Sequence, residues 1–178
     1  MLAQLAKQHA LGDMIVVKPT YGTYDEHHFL VNLIDDEFDP SIKHINPCIT
    51  VQKFMPNLKI EGEYSFIIYN NHISHSVLKL PSSLAHSLHS IYGRISQLVT
   101  PCDEDILAVQ KILDSILHLT GEKVHKCRID MIRCEKTQKL LLFELALGDP
   151  IQYLHLLSDE QQKRAINHFI DSTLIHLS

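Results

Sequence analysis

Residues 62–81 read GEYSFIIYNNHISHSVLKLP, and this stretch decides the fold of the chain. Two strand-like runs flank Asn70-Asn71, a dipeptide that tolerates positive φ and is typical of a tight hairpin. A second pair of runs, KCRIDMIRC (126–134) and KLLLFELAL (139–147), is joined by the short polar segment EKTQ. Two hairpins combined with helical patterns predict an α+β fold, in which helices flank an antiparallel sheet on one of its faces.

Shorter elements are predicted before the first hairpin. Residues 3–11 form a short helix that Gly12 ends. Three further runs are rich in β-branched and apolar residues, and proline stops two of them, so they are predicted to be strands: MIVVKPTY (14–21), HFLVN (28–32) and ITVQKFM (49–55).

Two longer helices are predicted in the second half of the chain. The first begins at Thr100-Pro101, where Thr caps the helix, and Gly121 closes it. The second is opened by the capping box Ser158-x-x-Gln161. Their apolar faces are predicted at helical spacing: Ile106, Val109, Leu113 and Ile116 in the first, and Ile166, Phe169, Ile170, Thr173 and Leu177 in the second.

Composition restricts the class of protein. Of 178 residues, 45 % are hydrophobic and 21 % charged, which is enough apolar material for the core of one domain. The net charge of −5 disfavours nucleic-acid binding through a positive surface. No apolar run is long enough to span a bilayer, and the N-terminal residues lack the pattern of a secretion signal. Four cysteines without CxxC spacing indicate reduced thiols, so we expect a cytoplasmic protein without a membrane partner.

Three charged residues point to phosphate chemistry. Asp130 and Glu144 lie on adjacent strand-like runs, where two carboxylates together bind a hard divalent cation. Lys18 ends the first strand and offers a compact positive charge to a phosphate. A cation and a lysine neutralise the charge of a nucleotide triphosphate. An ion pair on the sheet explains Asp130 equally well, and a surface pair with Glu63 explains Lys79 equally well.

The thirteen histidines invite a zinc interpretation, which the spacing disfavours. His72 and His75 fall in a strand pattern, so they point to opposite faces. No cysteine or carboxylate completes a four-ligand set near them.

The motifs resemble the ATP-grasp superfamily, in the branch of glutathione synthetase and the cycloserine-biosynthesis ligase. The similar stretches keep the family's order from about residue 14 to about residue 157. They are VVKP (16–19), VQKFMPNLKIEGEYSFIIYNNHISHSVLKLP (51–81), IYG (91–93), RIDMI (128–132) and FELALGDP (143–150). The resemblance implies the C-terminal subdomains of an ATP-dependent, ADP-forming ligase, which joins a carboxylate to an amine through an acyl-phosphate and uses ATP and Mg²⁺.

The resemblance also implies roles for particular residues. Those expected to contact the nucleotide are Lys18 at the phosphates, the main chain of Gln52, Lys53 and Phe54 at the adenine, and Glu61 and Glu63 at the ribose. Those expected at the reacting groups are Lys79 at the terminal phosphate, Arg128 at the acyl-phosphate, and Asp130 and Glu144 at Mg²⁺.

Several positions depart from the family pattern. Ala146 stands where relatives carry a second acidic or amide metal ligand, and Asp149 substitutes for it only if the strand bends. His86-Ser87-Leu88-His89 replaces a phosphate-facing run that contains arginine. The loop TYGTYDEHH (20–28) has one glycine and two acids, which weakens a phosphate cradle. The family's N-terminal domain and the first part of its nucleotide clamp have no counterpart in residues 1–178, which are expected to form one domain.

Three functions therefore remain open. The chain is the ATP- and Mg²⁺-binding part of a ligase, or a degenerate module that acts by protein contact, or one half of an enzyme that a homo-oligomer or a partner chain completes. Nucleotide is the expected small-molecule partner in the first and third cases.

Overall fold

The computed structural model describes residues 2–20, 29–34, 48–80, 95–148 and 150–175. The chain divides into two compact units, an N-terminal unit of residues 1–59 with 81–94 and a second unit of residues 60–80 with 95–178. The interpretations of residues 20–28 and 86–89 as phosphate loops, and the IYG motif, lie largely or wholly outside the described residues, as does Asp149.

The N-terminal unit contains a three-stranded antiparallel sheet in the order β2-β1-β3. Its elements are α1 (Leu2–Gln8), β1 (Met14–Pro19), β2 (Phe29–Asn32) and β3 (Ile49–Lys53). Ala6 of α1 is buried with Ile15, Val17 and Val31, so one turn of the helix covers the sheet. The predicted helix ends earlier than expected, at Gln8, and Gly12 follows in the left-handed region with φ 85°. A short helix, α2 (Asn57–Ile60), lies where the two units divide.

The second unit contains a five-stranded antiparallel sheet in the order β6-β5-β4-β7-β8. Both predicted hairpins are present, and Asn70 and Asn71 turn the first with φ 48° and 63°. The short edge strand β6 was not predicted from the sequence. The strands are β4 (Glu63–Tyr69), β5 (His72–Leu80), β6 (Ile95–Leu98), β7 (Lys126–Arg133) and β8 (Leu140–Ala146).

Both faces of this sheet are covered, because β4 is central and its residues 65–69 are all buried. Phe66 and Ile68 pack with Val109 and Leu113 of α3 (Asp103–Thr120). The alternate residues of β4, Ile67 and Tyr69, pack with the segment that leads into α4 (Asp159–Ile175) and with α4 itself. Successive strand residues point to opposite faces, so α3 and α4 lie on opposite faces. The α+β class is confirmed, whereas the placement of both helices on one face is wrong.

The ends of the two long helices follow the sequence only in part. Cys102, and not Thr100, is the N-cap of α3, while Gly121 closes this helix with φ 77° and donates to the carbonyl of Leu117. The capping box of α4 is confirmed, since the Ser158 N–H donates to Gln161 Oε1 at 2.9 Å and the Gln161 N–H to Ser158 Oγ at 3.4 Å.

The buried face of α4 is rotated relative to the expected one. Ala165 and Phe169 pack towards the sheet, whereas Ile166 and Ile170 are 42 % and 46 % exposed. In the described ranges, no helix combines the length and the apolar character that crossing a bilayer requires.

Gly62 sets the close approach of β4 and β5 at the start of the first hairpin. Its φ is 97°, and a Cβ atom added there would lie 2.3 Å from the carbonyl oxygen of Lys79. The main chain cannot move aside as the end of a side chain can, so only glycine fits between Glu61 and Glu63.

We expect Gly62→Ala to lower the free energy of unfolding by roughly 2–4 kcal/mol, because it adds backbone strain and a steric clash. Urea denaturation followed by circular dichroism measures the effect. Gly148→Ala is the matched control, since a Cβ atom there meets nothing within 4 Å. Equal stability of the two variants would contradict the proposed backbone contact.

Candidate functional site

Five polar residues gather on the α4 face of the five-stranded sheet. They form what we call the polar cluster: Glu63 and Ser65 of β4, Lys79 of β5, and Arg128 and Asp130 of β7. Strand register brings them together, because Glu63 lies opposite Lys79 and Ser65 opposite Asp130. Directly opposed residues share a face, so the alternation of each strand aims these side chains to the same side.

Asp130 is the centre of the polar cluster and is only 1 % exposed. Arg128 Nε donates to both of its carboxylate oxygens at 2.9 Å, and Nη2 lies 2.8 Å from Oδ2. Ser65 Oγ donates to Oδ1 at 2.5 Å, and Lys79 Nζ lies 3.4 Å from the same oxygen. A carboxylate has about four acceptor positions, so these three donors nearly saturate it.

Lys79 also forms an ion pair with Glu63, as one sequence interpretation proposed, but the pair is not at the surface. Lys79 is 6 % exposed and Glu63 is 3 % exposed. Buried charges are costly unless paired, and here two cations meet two anions. The cluster as a whole therefore carries no formal net charge at neutral pH.

Ion pairing has a larger effect than burial on the pKa values of Asp130, Lys79 and Arg128. Burial raises the pKa of Asp130, but Lys79 and Arg128 lower it further, so the net pKa lies below its ordinary value. Burial lowers the pKa of Lys79, but the charges of Glu63 and Asp130 raise it above its ordinary value. The pKa of Arg128 is raised in the same way, since Asp130 overcomes the effect of burial. Asp130 is thus held ionised between two protonated cations.

Glu144 lies directly opposite Asp130, in β8, next to an irregularity in the strand register. The two carboxylates share a face, as the metal prediction requires. Glu144 is only half-buried, however, because β8 is an edge strand whose Leu141 and Leu142 are 45 % and 50 % exposed. Within the polar cluster, Asp130 and Glu63 are therefore much more deeply buried than Glu144 beside it.

The donor set matches the modest demand of Mg²⁺, which commonly takes one or two protein carboxylates and completes its shell with phosphate oxygens and water. Asp130 and Glu144 lie opposite each other and are the candidate pair for such a cation. Among the residues that the structure describes, no three His, Cys, Asp or Glu side chains group as a metal site, and Ala146 lies opposite Arg128. Any cation at Asp130 has to share the carboxylate with Arg128 and Ser65.

Glu61 belongs to a different network, on the α3 side of the sheet. Its Oε1 accepts from Tyr64 Oη at 2.6 Å and from Arg133 Nε at 2.9 Å. Arg133 also contacts both carboxylate oxygens of Asp105 in α3, at 3.2 and 3.0 Å. The structure therefore does not bring Glu61 together with Glu63, although both were expected at the ribose.

The remaining predicted residues belong to the N-terminal unit. Lys18 is half-buried in β1 opposite Thr50, and Gln52 and Lys53 lie on β3, an edge strand. The N–H of Phe54 donates to the carbonyl of Met14 at 3.1 Å, so this main-chain donor has a partner inside the unit. Lys59 Nζ lies 5.5 Å from the centre of the Phe54 ring.

Sequence reasoning missed Ser65 and the pair Arg133–Asp105. The period-2 alternation that selects Glu63 also selects Ser65, so a signal for it existed. Arg133 and Asp105 meet only through the packing of α3 on the sheet, and neither carries a local motif.

Comparison with solved structures identifies the fold. D-cycloserine synthetase DcsG matches with a TM-score of 0.77 and 16 % identity, over 99 % of this chain and 60 % of that chain. D-alanine–D-alanine ligase from Bacillus anthracis matches with a TM-score of 0.64 and 15 % identity, over 98 % and 58 %. The ATP-grasp ligase PsnB, solved with a minimal precursor, Mg and ADP, matches with a TM-score of 0.59 and 10 % identity, over 94 % and 50 %.

The chain therefore has the fold of the ATP-grasp ligases, as the motifs implied. It spans between 50 % and 60 % of the length of these three proteins. No protein-family model and no curated protein sequence matches it. Similarity at these identities establishes the fold and leaves the activity to be argued from the site.

We expect Asp130→Asn to lower the free energy of unfolding by about 3–5 kcal/mol at pH 7, because it leaves Arg128 and Lys79 buried without their shared anion. The folded-state pKa of Asp130 lies below 3.8, so its contribution is complete above that value and is lost as pH falls through the folded pKa. The difference between variant and parent should therefore narrow in acid.

Urea denaturation at a series of pH values tests this expectation. Asp114→Asn is the matched control, because Asp114 is exposed on α3 and accepts a hydrogen bond from Gln110 of the same helix at 2.8 Å. Its effect should stay within about 0.5 kcal/mol at every pH. A pH-independent loss in Asp130→Asn would contradict an ionised Asp130.

Proposed function

We propose that the chain is the ATP- and Mg²⁺-binding part of a ligase that joins a carboxylate to an amine or similar nucleophile through an acyl-phosphate. One observation carries the proposal: an ATP-grasp fold holds a buried cluster with a lysine, an arginine and ionised carboxylates on one sheet face. Phosphoryl transfer depends mainly on positioning and on neutralisation of charge, and these are the groups that supply both.

Each residue has a role in this proposal. Lys79 holds the terminal phosphate, and Arg128 stabilises the negative charge of the acyl-phosphate. Asp130 and Glu144 hold Mg²⁺, which neutralises phosphate charge when it is bound. Lys18 and the main chain of residues 52–54 contact the nucleotide, whereas Glu63 neutralises Lys79. The facing carboxylates of Asp130 and Glu144 support the metal role, since their register places both on one face.

The second candidate function is a degenerate module that acts by protein contact. The saturation of Asp130 by Arg128, Ser65 and Lys79 favours it, because a structural ion cluster needs no ligand. Ala146 favours it as well, since a methyl group offers a metal no oxygen. In a third arrangement, which the resemblance leaves open, a partner chain or a second copy completes the enzyme.

Isothermal titration calorimetry separates the first two functions. We expect micromolar binding of ATP in the presence of Mg²⁺, and we expect Glu144→Gln to weaken it by about tenfold or more, because the variant loses a charged oxygen ligand. The loss should disappear when Mg²⁺ is omitted.

Glu160→Gln is the control, because Glu160 is exposed on α4. No heat at millimolar ATP would overturn the ligase proposal and favour the degenerate module. A native mass spectrum of the same sample distinguishes a lone chain from an assembly.

The resemblance implies that Glu63 binds the ribose, but the ion pair between Glu63 and Lys79 leads to a different expectation. If Glu63 binds ribose, Glu63→Gln weakens adenosine and ATP together. Because Glu63 neutralises Lys79, we expect the reverse for ATP: its affinity rises several-fold as Lys79 becomes available to phosphate, while adenosine binding is unchanged. Parallel titrations of parent and variant with adenosine, ADP and ATP measure the change in affinity for each ligand. An equal loss of affinity for all three would support the ribose role of Glu63.

A further inference from the structure

Tyr153 has an unusual backbone conformation next to the polar cluster. Its φ is 53° and its ψ is 27°, in the left-handed region, at the start of a 3₁₀ turn (Leu154–Leu156). A bulky residue with positive φ is uncommon and strained. Such a conformation persists where the surrounding structure holds it, and it is concentrated at functional sites.

Hydrogen bonds on both sides hold the segment in place. The N–H of Leu156 donates to the carbonyl of Tyr153 at 3.0 Å. The carbonyl of Gln152 lies 2.7 Å from His75 Nε2, on β5. Burial lowers the pKa of His75, so its ring is neutral at pH 7, and because a carbonyl only accepts, Nε2 carries the proton. The segment is thus anchored to the same strand that carries Lys79.

The ring of Tyr153 lies on the face of the polar cluster. It packs against the apolar group of Ile67, Tyr69, Leu157 and Ala165. Ile67 of that group lies directly opposite His75 on β5 and Arg128 on β7, so the ring packs on the part of the sheet where the strands of both cations meet β4. Burial lowers the pKa of Lys79 and of Arg128, the acids of the polar cluster raise both, and an ionised Tyr153 phenolate would raise them slightly further, which places the phenol within electrostatic range of both cations.

A phenol hydroxyl beside these two cations has a specific use. Glu63 and Asp130 neutralise Lys79 and Arg128 from within the sheet, so each cation keeps only part of its capacity for an external anion. A neutral donor adds a hydrogen bond to an anion without a further charge that needs burial.

We propose that Tyr153 contacts the anionic ligand of this site, its hydroxyl donating to a phosphate oxygen that Lys79 and Arg128 also face. This inference rests on the proposed nucleotide function and adds a residue that lies outside the motifs. The anion has the chemistry of a terminal phosphate or an acyl-phosphate.

Tyr153→Phe tests the inference, because it keeps the ring and its packing and removes only the hydroxyl. We expect calorimetry to give about tenfold weaker binding of ATP and of inorganic tripolyphosphate, with adenosine affinity unchanged. Tyr69→Phe is the matched control, since Tyr69 belongs to the same apolar group but lies at the far end of β4, opposite His72 and Lys126. The control should leave all three affinities as they are.

The outcomes separate this inference from the proposed function. If the parent protein binds ATP and Tyr153→Phe binds it equally well, the inference fails and the nucleotide function stands. If the parent binds tripolyphosphate but not adenosine or ATP, and Tyr153→Phe weakens that binding, the inference stands and the nucleotide function fails. If the parent binds none of the three ligands, both are overturned.

Discussion

The buried carboxylate of Asp130 is the constraint on which the second unit depends. It is almost without solvent and is kept ionised by Arg128 on its own strand and Lys79 two strands away. Those contacts require β5, β4 and β7 to keep their register, because a shift of one residue would turn each charged side chain to the α3 face. An ionised group in that apolar core would be far more costly than any single lost apolar contact. The ion pairs therefore favour one strand register, and that register in turn brings the charged side chains together.

The two faces of the five-stranded sheet therefore differ in the residues that they bury. On the α3 face, Phe66, Ile129 and Met131 form a dry core, and the charged network of Glu61, Arg133 and Asp105 lies at its margin, where it fastens α3 to the strands. On the α4 face, the apolar group that contains Leu157 and Ala165 packs on the Ile67–Tyr69 end of β4, and the polar cluster lies towards the other end. The α4 face is therefore the one that the proposed ligand site would use.

The sequence predicts the local features of this fold well and its tertiary features poorly. Asn70-Asn71, Gly121 and the capping box of Ser158 act through the chain next to them, and all three were predictable. The covering of both sheet faces was missed because the buried run SFIIY (65–69) has no alternation that would show which face is apolar. The orientation of α4 was missed because the small Ala165 packs close to the sheet and is buried, whereas the larger Ile166, which was expected on the buried face, is partly exposed. In the site, alternation predicts that Asp130 and Arg128 share a face, but the depth of Asp130 and the exposure of Glu144 depend on strand order, which no local pattern encodes.

The internal neutrality of the polar cluster has a consequence for any anion that binds there. Lys79 is paired with Glu63 and Asp130, so a phosphate that bound there would not have to strip water from a bare ammonium group. It would replace Glu63 at a cation that is already desolvated. Exchange of one anion for another keeps the charge count of the buried region nearly constant, whereas addition of an anion without exchange would leave an excess negative charge in low dielectric. The affinity for an anion would therefore depend less on the positive charge of Lys79 and Arg128 than on the free energy needed to separate Glu63 and Asp130 from these cations. A stable cluster and a tight phosphate site would thus place competing demands on the same four side chains. In the proposed site, the uncharged hydroxyl of Tyr153 would favour the phosphate without altering the balance of charges.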